Sequence, residues 1–161
     1  MHSSSLNEMK KNLEFYAKGG MILDVGSMNI RNKGCYKTII PFNCLYFGID
    51  GRVGSNVDVV VDKIFPFAEN TFDFMISGQC FEHTKNPFIL LAECVRVLKI
   101  GGLFLGVAPS QWHEHREPID CWRILPDGWS ALFEETGLKM ERVYVNPIKS
   151  GHEDCWGIGR K

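Results

Sequence analysis

The sequence predicts an α/β fold: a single doubly wound sheet, mostly parallel, with an antiparallel last strand. Three observations point there. Short apolar runs recur, at Met21 to Val25, Leu45 to Asp50, Val57 to Val61 and Phe72 to Ser77. Helical patterns with their own start and stop residues are interleaved with later runs, which is the signature of parallel strands joined by crossovers. Leu103 to Ala108 is apolar throughout, as a central strand covered on both faces should be.

Taken in order, Leu6, Met9, Leu13 and Phe15/Tyr16 form a helical stripe from Leu6 to Lys18, closed by Gly19-Gly20. Met21 to Val25 is a buried first strand that runs into Gly26. A short helix is expected around Tyr36 to Ile40. Leu45 to Asp50 is the second strand, Val57 to Val61 the third and Phe72 to Ser77 the fourth. Asn86-Pro87 opens a helix whose apolar face is Phe88, Leu91, Ala92, Val95 and Leu98, with Gly101-Gly102 as its stop. Pro126 to Thr136 is another helix ending at Gly137. Lys139 to Val145 and Cys155 to Gly159 complete the sheet. Only Gly51 to Asn56 separate the second and third strands, whereas a parallel crossover takes about a dozen residues or more. Helix content between those strands is therefore reduced, and the third strand is short or shifted at the sheet edge.

The 161 residues suffice for a single domain over residues 1–161, with residues 1–5 expected to be disordered. The 45% hydrophobic and 23% charged composition is that of a globular protein with a real core. A net charge of −1 without a Lys/Arg cluster argues against nucleic acid as partner. No apolar run is long enough for a membrane span and no signal peptide is visible, so neither membrane nor export is expected. The six cysteines, Cys35, Cys44, Cys80, Cys94, Cys121 and Cys155, form no C-x-x-C pair. Free thiols and a cytoplasmic location follow.

Function is written at the strand ends. The run Leu23-Asp24-Val25-Gly26-Ser27 delivers a glycine turn, and Gly48-Ile49-Asp50 delivers a carboxylate from the neighbouring strand. Together they suit a nucleotide-like cofactor: glycine for close backbone approach, carboxylate for two ribose hydroxyls.

From about Met21 to about Lys139 the chain resembles the S-adenosylmethionine-dependent methyltransferases of the Rossmann-like class. The resemblance is carried by those two segments, by Phe65-Pro66-Phe67-Ala68-Glu69-Asn70-Thr71-Phe72-Asp73, by Phe81-Glu82-His83, by Arg96-Val97-Leu98-Lys99-Ile100-Gly101-Gly102-Leu103, and by Leu125-Pro126-Asp127-Gly128 with Gly137-Leu138. The family's Gly-x-Gly-x-Gly is reduced here to Gly26, with Met28 and Ile30 at the other glycine positions. A glycan-related branch looks similar at this turn and in His115-Arg116-Glu117-Pro118-Ile119-Asp120-Cys121-Trp122-Arg123. The resemblance implies S-adenosylmethionine as cofactor. Asp24, Gly26, Ser27 and Met28 would lie under its methionine half and Asp50 on its ribose. Asp62 would lie at the adenine amino group with Lys63 and Ile64 beside the ring, and Ser77 and Gln79 near the sulfonium.

The segment from Gln111 to Arg123 is the richest polar loop and follows the fifth strand. Trp112, His115, Arg116, Asp120, Trp122 and Arg123, with Gln79, are the expected acceptor-binding residues: an aromatic wall beside charged donors suits a small polar acceptor such as a sugar or glycan precursor. His83, His113 and His115 are the candidate bases for a hydroxyl acceptor, and His83 has a plain structural reading as well. His113-x-His115 with Asp120 or Cys121 has metal-binding residue types, but the spacing matches no strong template, so no metal is expected. The alternatives are a cofactor-binding module or partner subunit without catalysis, motivated by the missing glycines and the missing helix, and a nicotinamide-dependent oxidoreductase, for which a second domain is lacking. Acceptor and oligomeric state are open.

Overall fold

The computed structural model describes residues 3–30, 34–148 and 152–161. Its strands are β1 (Gly20–Val25), β2 (Cys44–Asp50), β3 (Val59–Val60), β4 (Phe72–Gly78), β5 (Leu98–Gln111), β6 (Lys139–Ile148) and β7 (His152–Arg160). Its helices are α1 (Ser3–Tyr16), α2 (Pro87–Val97) and α3 (Pro126–Thr136). The strands form one seven-stranded sheet in the order β3-β2-β1-β4-β5-β7-β6. All pairings from β3 to β5 are parallel, and β7 runs antiparallel to both β5 and β6. The predicted fold class is the observed one.

Each face of the sheet has its own core. On one side Met9, Leu13 and Ala17 at α1 pack on Ile22, Ile76, Leu105, Trp156 and Ile158. On the other, Leu91, Cys94 and Val97 of α2 and Trp129, Leu132 and Phe133 of α3 pack on Leu23, Met75 and Phe104. Trp129 occupies the space left by strand glycines: a methyl group on Gly106 or Gly157 would meet its ring at 2.6 Å. Among the described residues no helix is long and apolar enough to cross a membrane.

The short β2–β3 connection works because β3 is only two residues long. It pairs with the last residues of β2, Ile49↔Val59 and Asp50↔Val60. The chain therefore returns by only two residues of rise, roughly 7 Å, and needs no crossover helix. Asp58 secures the turn, accepting from the Gly48 amide at 2.7 Å while its own amide donates to the Gly48 carbonyl at 2.8 Å.

Three expectations change. Of the residues 1–5 expected to be disordered, 1 and 2 lie outside the described residues and 3–5 are helical, because Ser5 is buried and its hydroxyl donates to the buried Asp154 of β7. The α2 helix stops at Val97, before Gly101-Gly102. The amides of Asn70 and Thr71 take the Arg96 and Val97 carbonyls, and the Lys161 ammonium donates to the carbonyls of Val95 and Leu98 at 2.7 Å each. The buried face of α2 is Pro87, Leu91, Cys94 and Val97, leaving Phe88 43% exposed. Its start is as expected: the Asn86 side chain accepts from the amides of Phe88 and Ile89.

Candidate cofactor and acceptor cleft

A cleft of about 770 Å³ opens at the carboxyl edge of the parallel strands, the edge where ligands bind in open α/β sheets. Asp24, Gly26, Ser27, Met28, Asp50, Asp62 and Gln79 line it, as the sequence led one to expect. Lys63 and Ile64 do not: they are exposed outside it, Ile64 at 76%. Ser77 is fully buried and ties β4 to β1 through a 2.8 Å bond to the Val25 carbonyl, so it has no face on the cleft.

The glycine turn is held from below. The amides of Gly26 and Ser27 both donate to the Ile49 carbonyl, at 2.9 and 3.0 Å, so these two N–H groups are engaged within the sheet rather than offered to a ligand. The Met28 amide points to Asp50 Oδ2 at 3.3 Å. Gly26 has φ +81, the left-handed region, and a methyl group there would sit 2.6 Å from the Cβ and Sγ of Cys80. Met28 and Ile30 do not have positive φ, so side chains at those positions cost the turn nothing. Met28 lies over Gly54 in the β2–β3 loop, where a methyl group would meet its sulfur at 2.7 Å. The loss of two glycines is thus matched by a glycine elsewhere.

Asp24 is 2% exposed. The Tyr46 hydroxyl donates to its Oδ2 at 2.7 Å, and Asn56 Nδ2 bonds both that hydroxyl and the Ser27 carbonyl. Burial pushes the Asp24 carboxyl up to about 7, against the Tyr46 hydrogen bond and with help from the charge on Asp50. Its Oδ1 is buried without a hydrogen-bond partner among the described residues. Asp50 accepts from the Arg52 amide at 3.0 Å, and the Arg52 guanidinium reaches the Glu117 carbonyl at 3.4 Å. Arg52 thereby connects the Asp50 end of the cleft to the loop after β5.

That loop is arranged differently from expectation. It lines the cleft through Glu117 and Pro118 rather than through Trp112, His115, Arg116, Asp120, Trp122 or Arg123. Asp120 and Arg123 bind each other at 2.6 and 2.8 Å, and the guanidinium holds the Asp120 carboxyl well below the usual carboxylate range. Arg116 pairs with Glu114 at the surface. Trp122 donates to the Thr84 carbonyl at 2.8 Å, and Trp112 packs on His152 with ring centres 3.7 Å apart. Of the three histidines only His83 lines the cleft. Burial lowers its pKa, so its ring is neutral near pH 7. His115 lies beside it, ring centres 4.9 Å apart, and His113 is exposed against Trp112. Glu82, beneath them, is fully buried, and burial pushes its carboxyl up to about 8.

Arg52, Phe65, Cys80, Thr84, Lys85 and Leu90 also line the cleft. Phe65 is placed by a clamp: its amide donates to Glu93 at 2.7 Å, and Arg96 donates to the carbonyls of Phe65 and Phe67 at 3.0 Å each. The signal for it was the Glu93-x-x-Arg96 spacing on one helix face.

The geometry can be compared with known proteins. Residues 51–106, from the β2–β3 loop into β5, match the sequence model of a methyltransferase domain family. Over 93 residues, 57% of this chain, the sequence is 27% identical to PMT3 of Arabidopsis thaliana, a protein named as a methyltransferase. The alignment spans only 15% of that protein's length. A Bacillus halodurans protein described as a methyltransferase matches with a TM-score of 0.74 at 16% identity, covering 99% of each chain. The 1,6-didemethyltoxoflavin-N1-methyltransferase of Burkholderia thailandensis was solved with 1,6-didemethyltoxoflavin and S-adenosylhomocysteine bound. It matches with a TM-score of 0.79 at 13% identity, over 98% of this chain and 78% of that one. The chain thus has the fold of these two solved proteins, and its stretch from residue 51 to 106 carries the sequence pattern of a methyltransferase domain.

Proposed function

We propose that the protein is an S-adenosylmethionine-dependent methyltransferase acting on a small polar acceptor. The observation that carries this reading is the meeting of the Gly26 turn and the Asp50 carboxylate in one cleft at the carboxyl edge of the sheet. The residues present fit the cofactor. The cleft volume falls in the roughly 300–1,000 Å³ range of sites for ligands of this size. Asp50 offers carboxylate oxygens to a ribose, Gly26 lines the cleft without a side chain, and the unpartnered Oδ1 of Asp24 can accept from an ammonium group. The carboxyl groups of Asp50 and Asp62 line this end of the cleft and suit a cationic sulfonium compound.

When bound, S-adenosylmethionine supplies an electrophilic methyl group. The chain's task is then alignment. Gln79, in the left-handed region at φ 56, and His83 stand just beyond β4, where acceptor and methyl would meet. Glu117 and Pro118 also line the cleft, tied to Arg52 through the Glu117 carbonyl. A sugar or glycan precursor is one acceptor of this class. Its support is the likeness of the segment from His115 to Arg123, in which Asp120 and Arg123 are occupied with each other.

Calorimetric titration with S-adenosylmethionine, S-adenosylhomocysteine and NAD tests the reading. Micromolar binding of the first two, lost in Asp50→Ala with an unchanged circular dichroism spectrum, is the expected result. Failure of both to bind overturns it, and tight binding of NAD alone would favour an oxidoreductase.

A further inference from the structure

Glu82, His83 and His115 bring three metal-binding side chains together beside the cleft, with ligand atoms all within 4.8 Å of one another. They come from two segments: a 3-10 turn at Phe81–His83 and the loop after β5. The two are joined by the amides of Cys121 and Trp122, which donate to the Glu82 carbonyl at 2.7 and 3.3 Å.

Each side chain is prepared for a cation. Glu82 is 0% exposed, and neither of its carboxylate oxygens has a hydrogen-bond partner among the described residues. Buried carboxylates are ordinarily paired or bound to metal. His83 Nδ1 lies 2.6 Å from the Ile119 carbonyl, which places the ring proton on Nδ1 and leaves the Nε2 lone pair 3.7 Å from Glu82 Oε1. His115 repeats the pattern: its Nδ1 lies 3.2 Å from the His113 carbonyl and 3.4 Å from Asp120 Oδ2, leaving Nε2. Asp120 is itself fixed by Arg123 and by the His115 amide. An imidazole whose other nitrogen donates to a carbonyl or carboxylate is the usual form of a metal-binding histidine.

We propose that Glu82, His83 and His115 bind one divalent transition-metal ion of the zinc or ferrous kind, with open positions toward the cleft. Two imidazoles and one carboxylate form a ligand set for ions of this borderline class, whereas magnesium and calcium prefer oxygen throughout. Ligand atoms around a tetrahedral ion lie about 3.4 Å apart, so the site forms by side-chain shifts of about an ångström. The sequence alone gave no such set, because Glu82 and His83 are distant in the chain from His115. The structure also replaces the His113-x-His115 pairing, since His113 points to Trp112 and His152.

The ion's use rests on the proposed methyltransferase reading, though its binding does not. His83 lines the cleft, so an ion held there would take a hydroxyl or carboxylate oxygen of the acceptor. A metal-bound hydroxyl releases its proton to solvent more readily. Its oxygen then forms the new O–CH3 bond as the S–CH3 bond breaks, and sulfur departs as a neutral thioether.

The test uses chelator-stripped, dialysed full chain titrated with Zn2+ against a chromophoric chelator, with Co2+ spectra as a second readout. The expected result is one equivalent bound, a Co2+ spectrum without a sulfur-to-metal band despite the free cysteines, and at least a 50-fold weaker affinity in His115→Gln. Glu82→Gln should weaken binding similarly. Binding well below one equivalent, or equal affinity in His115→Gln and the parent, overturns the proposal. S-adenosylhomocysteine titration of the same samples separates the two readings. Metal bound without S-adenosylhomocysteine supports the metal site while refuting the cofactor, and the reverse refutes the metal site alone.

Discussion

The Tyr46 hydroxyl of β2 donates across 2.7 Å to the buried carboxylate of Asp24 on β1. Asp24 lines the cleft, and the pair sets a measurable pH dependence. The Asp24 carboxyl has a reference value of 3.8 and is raised to about 7 in the fold. Between those values the folded chain holds a proton that the unfolded chain has released. Stability from this group is therefore complete below about pH 4 and is lost as pH rises to about 7. Asp24→Asn keeps an acceptor for Tyr46 and cannot ionise. Urea unfolding should show the variant gaining on the parent as pH rises, by about 1.4 kcal/mol per pKa unit and up to about 4 kcal/mol at pH 8. A difference between the two proteins that is constant from pH 4 to pH 8 would count against a raised Asp24.

Tyr46→Phe removes the donor while leaving the carboxylate buried. The loss should be about 1–3 kcal/mol at neutral pH. In the Asp24→Asn background it should shrink, because a neutral amide is less costly to leave short of a partner than a carboxylate. Equal losses in both backgrounds, measured as a double-mutant cycle, would mean that the two side chains are not coupled.

Gly26→Ala meets two obstacles. The backbone is left-handed at φ +81, and the new methyl group would overlap Cys80. Strain of about 1–2 kcal/mol from the backbone adds to about 1–3 kcal/mol of overpacking. Cys80→Gly removes the second obstacle and not the first, so the double variant should recover only part of the lost melting temperature. Full recovery would place the whole effect in the contact with Cys80.

These residues show what was readable in the chain. Asp24, Gly26 and Asp50 end apolar runs, and strand ends in a parallel sheet meet at one edge whatever the intervening loops do. Helix α3 was readable at both ends because Pro126 and Gly137 are local signals, the latter left-handed at φ 75. The end of α2 was not, since its carbonyls are satisfied by Lys161 and by the amides of residues 70 and 71, far away in sequence. The same holds for Glu117 and for Phe65: each reaches the cleft through a tertiary bond, to Arg52 and to the Glu93–Arg96 pair. The charged loop misled for the opposite reason. Asp120 and Arg123 look available in sequence, yet at a spacing of three residues they satisfy each other.

Arg96→Ala should loosen the clamp on residues 65–67. Four guanidinium hydrogen bonds are lost, one each to the Phe65 and Phe67 carbonyls and two to the Glu93 carboxylate, and among the described residues Glu93 is left paired only with the Phe65 amide. A destabilisation of about 2 kcal/mol is expected, with faster amide exchange confined to the segment from Asp62 to Phe67. Because Phe65 lines the cleft, affinity for S-adenosylhomocysteine should fall about tenfold, which corresponds to about 1.4 kcal/mol. Unchanged exchange in that segment would show that the clamp does not govern it.

Asp120→Asn separates the loop from the Asp50 end of the cleft. The charge that holds Arg123, the His115 amide and the His115 ring is reduced to a neutral acceptor. Stability should drop by about 1–2 kcal/mol, and amide exchange in residues 112–123 should quicken. Cofactor affinity should stay within about threefold, under about 0.7 kcal/mol, because Asp24, Gly26 and Asp50 are held by the sheet and not by this loop. The arginine variant, Arg123→Met, should loosen the same residues, since it removes the other half of the pair. A tenfold fall in S-adenosylhomocysteine affinity in either variant would mean that the Arg52 bond to the Glu117 carbonyl transmits loop order to Asp50, and that the two halves of the cleft act as one unit.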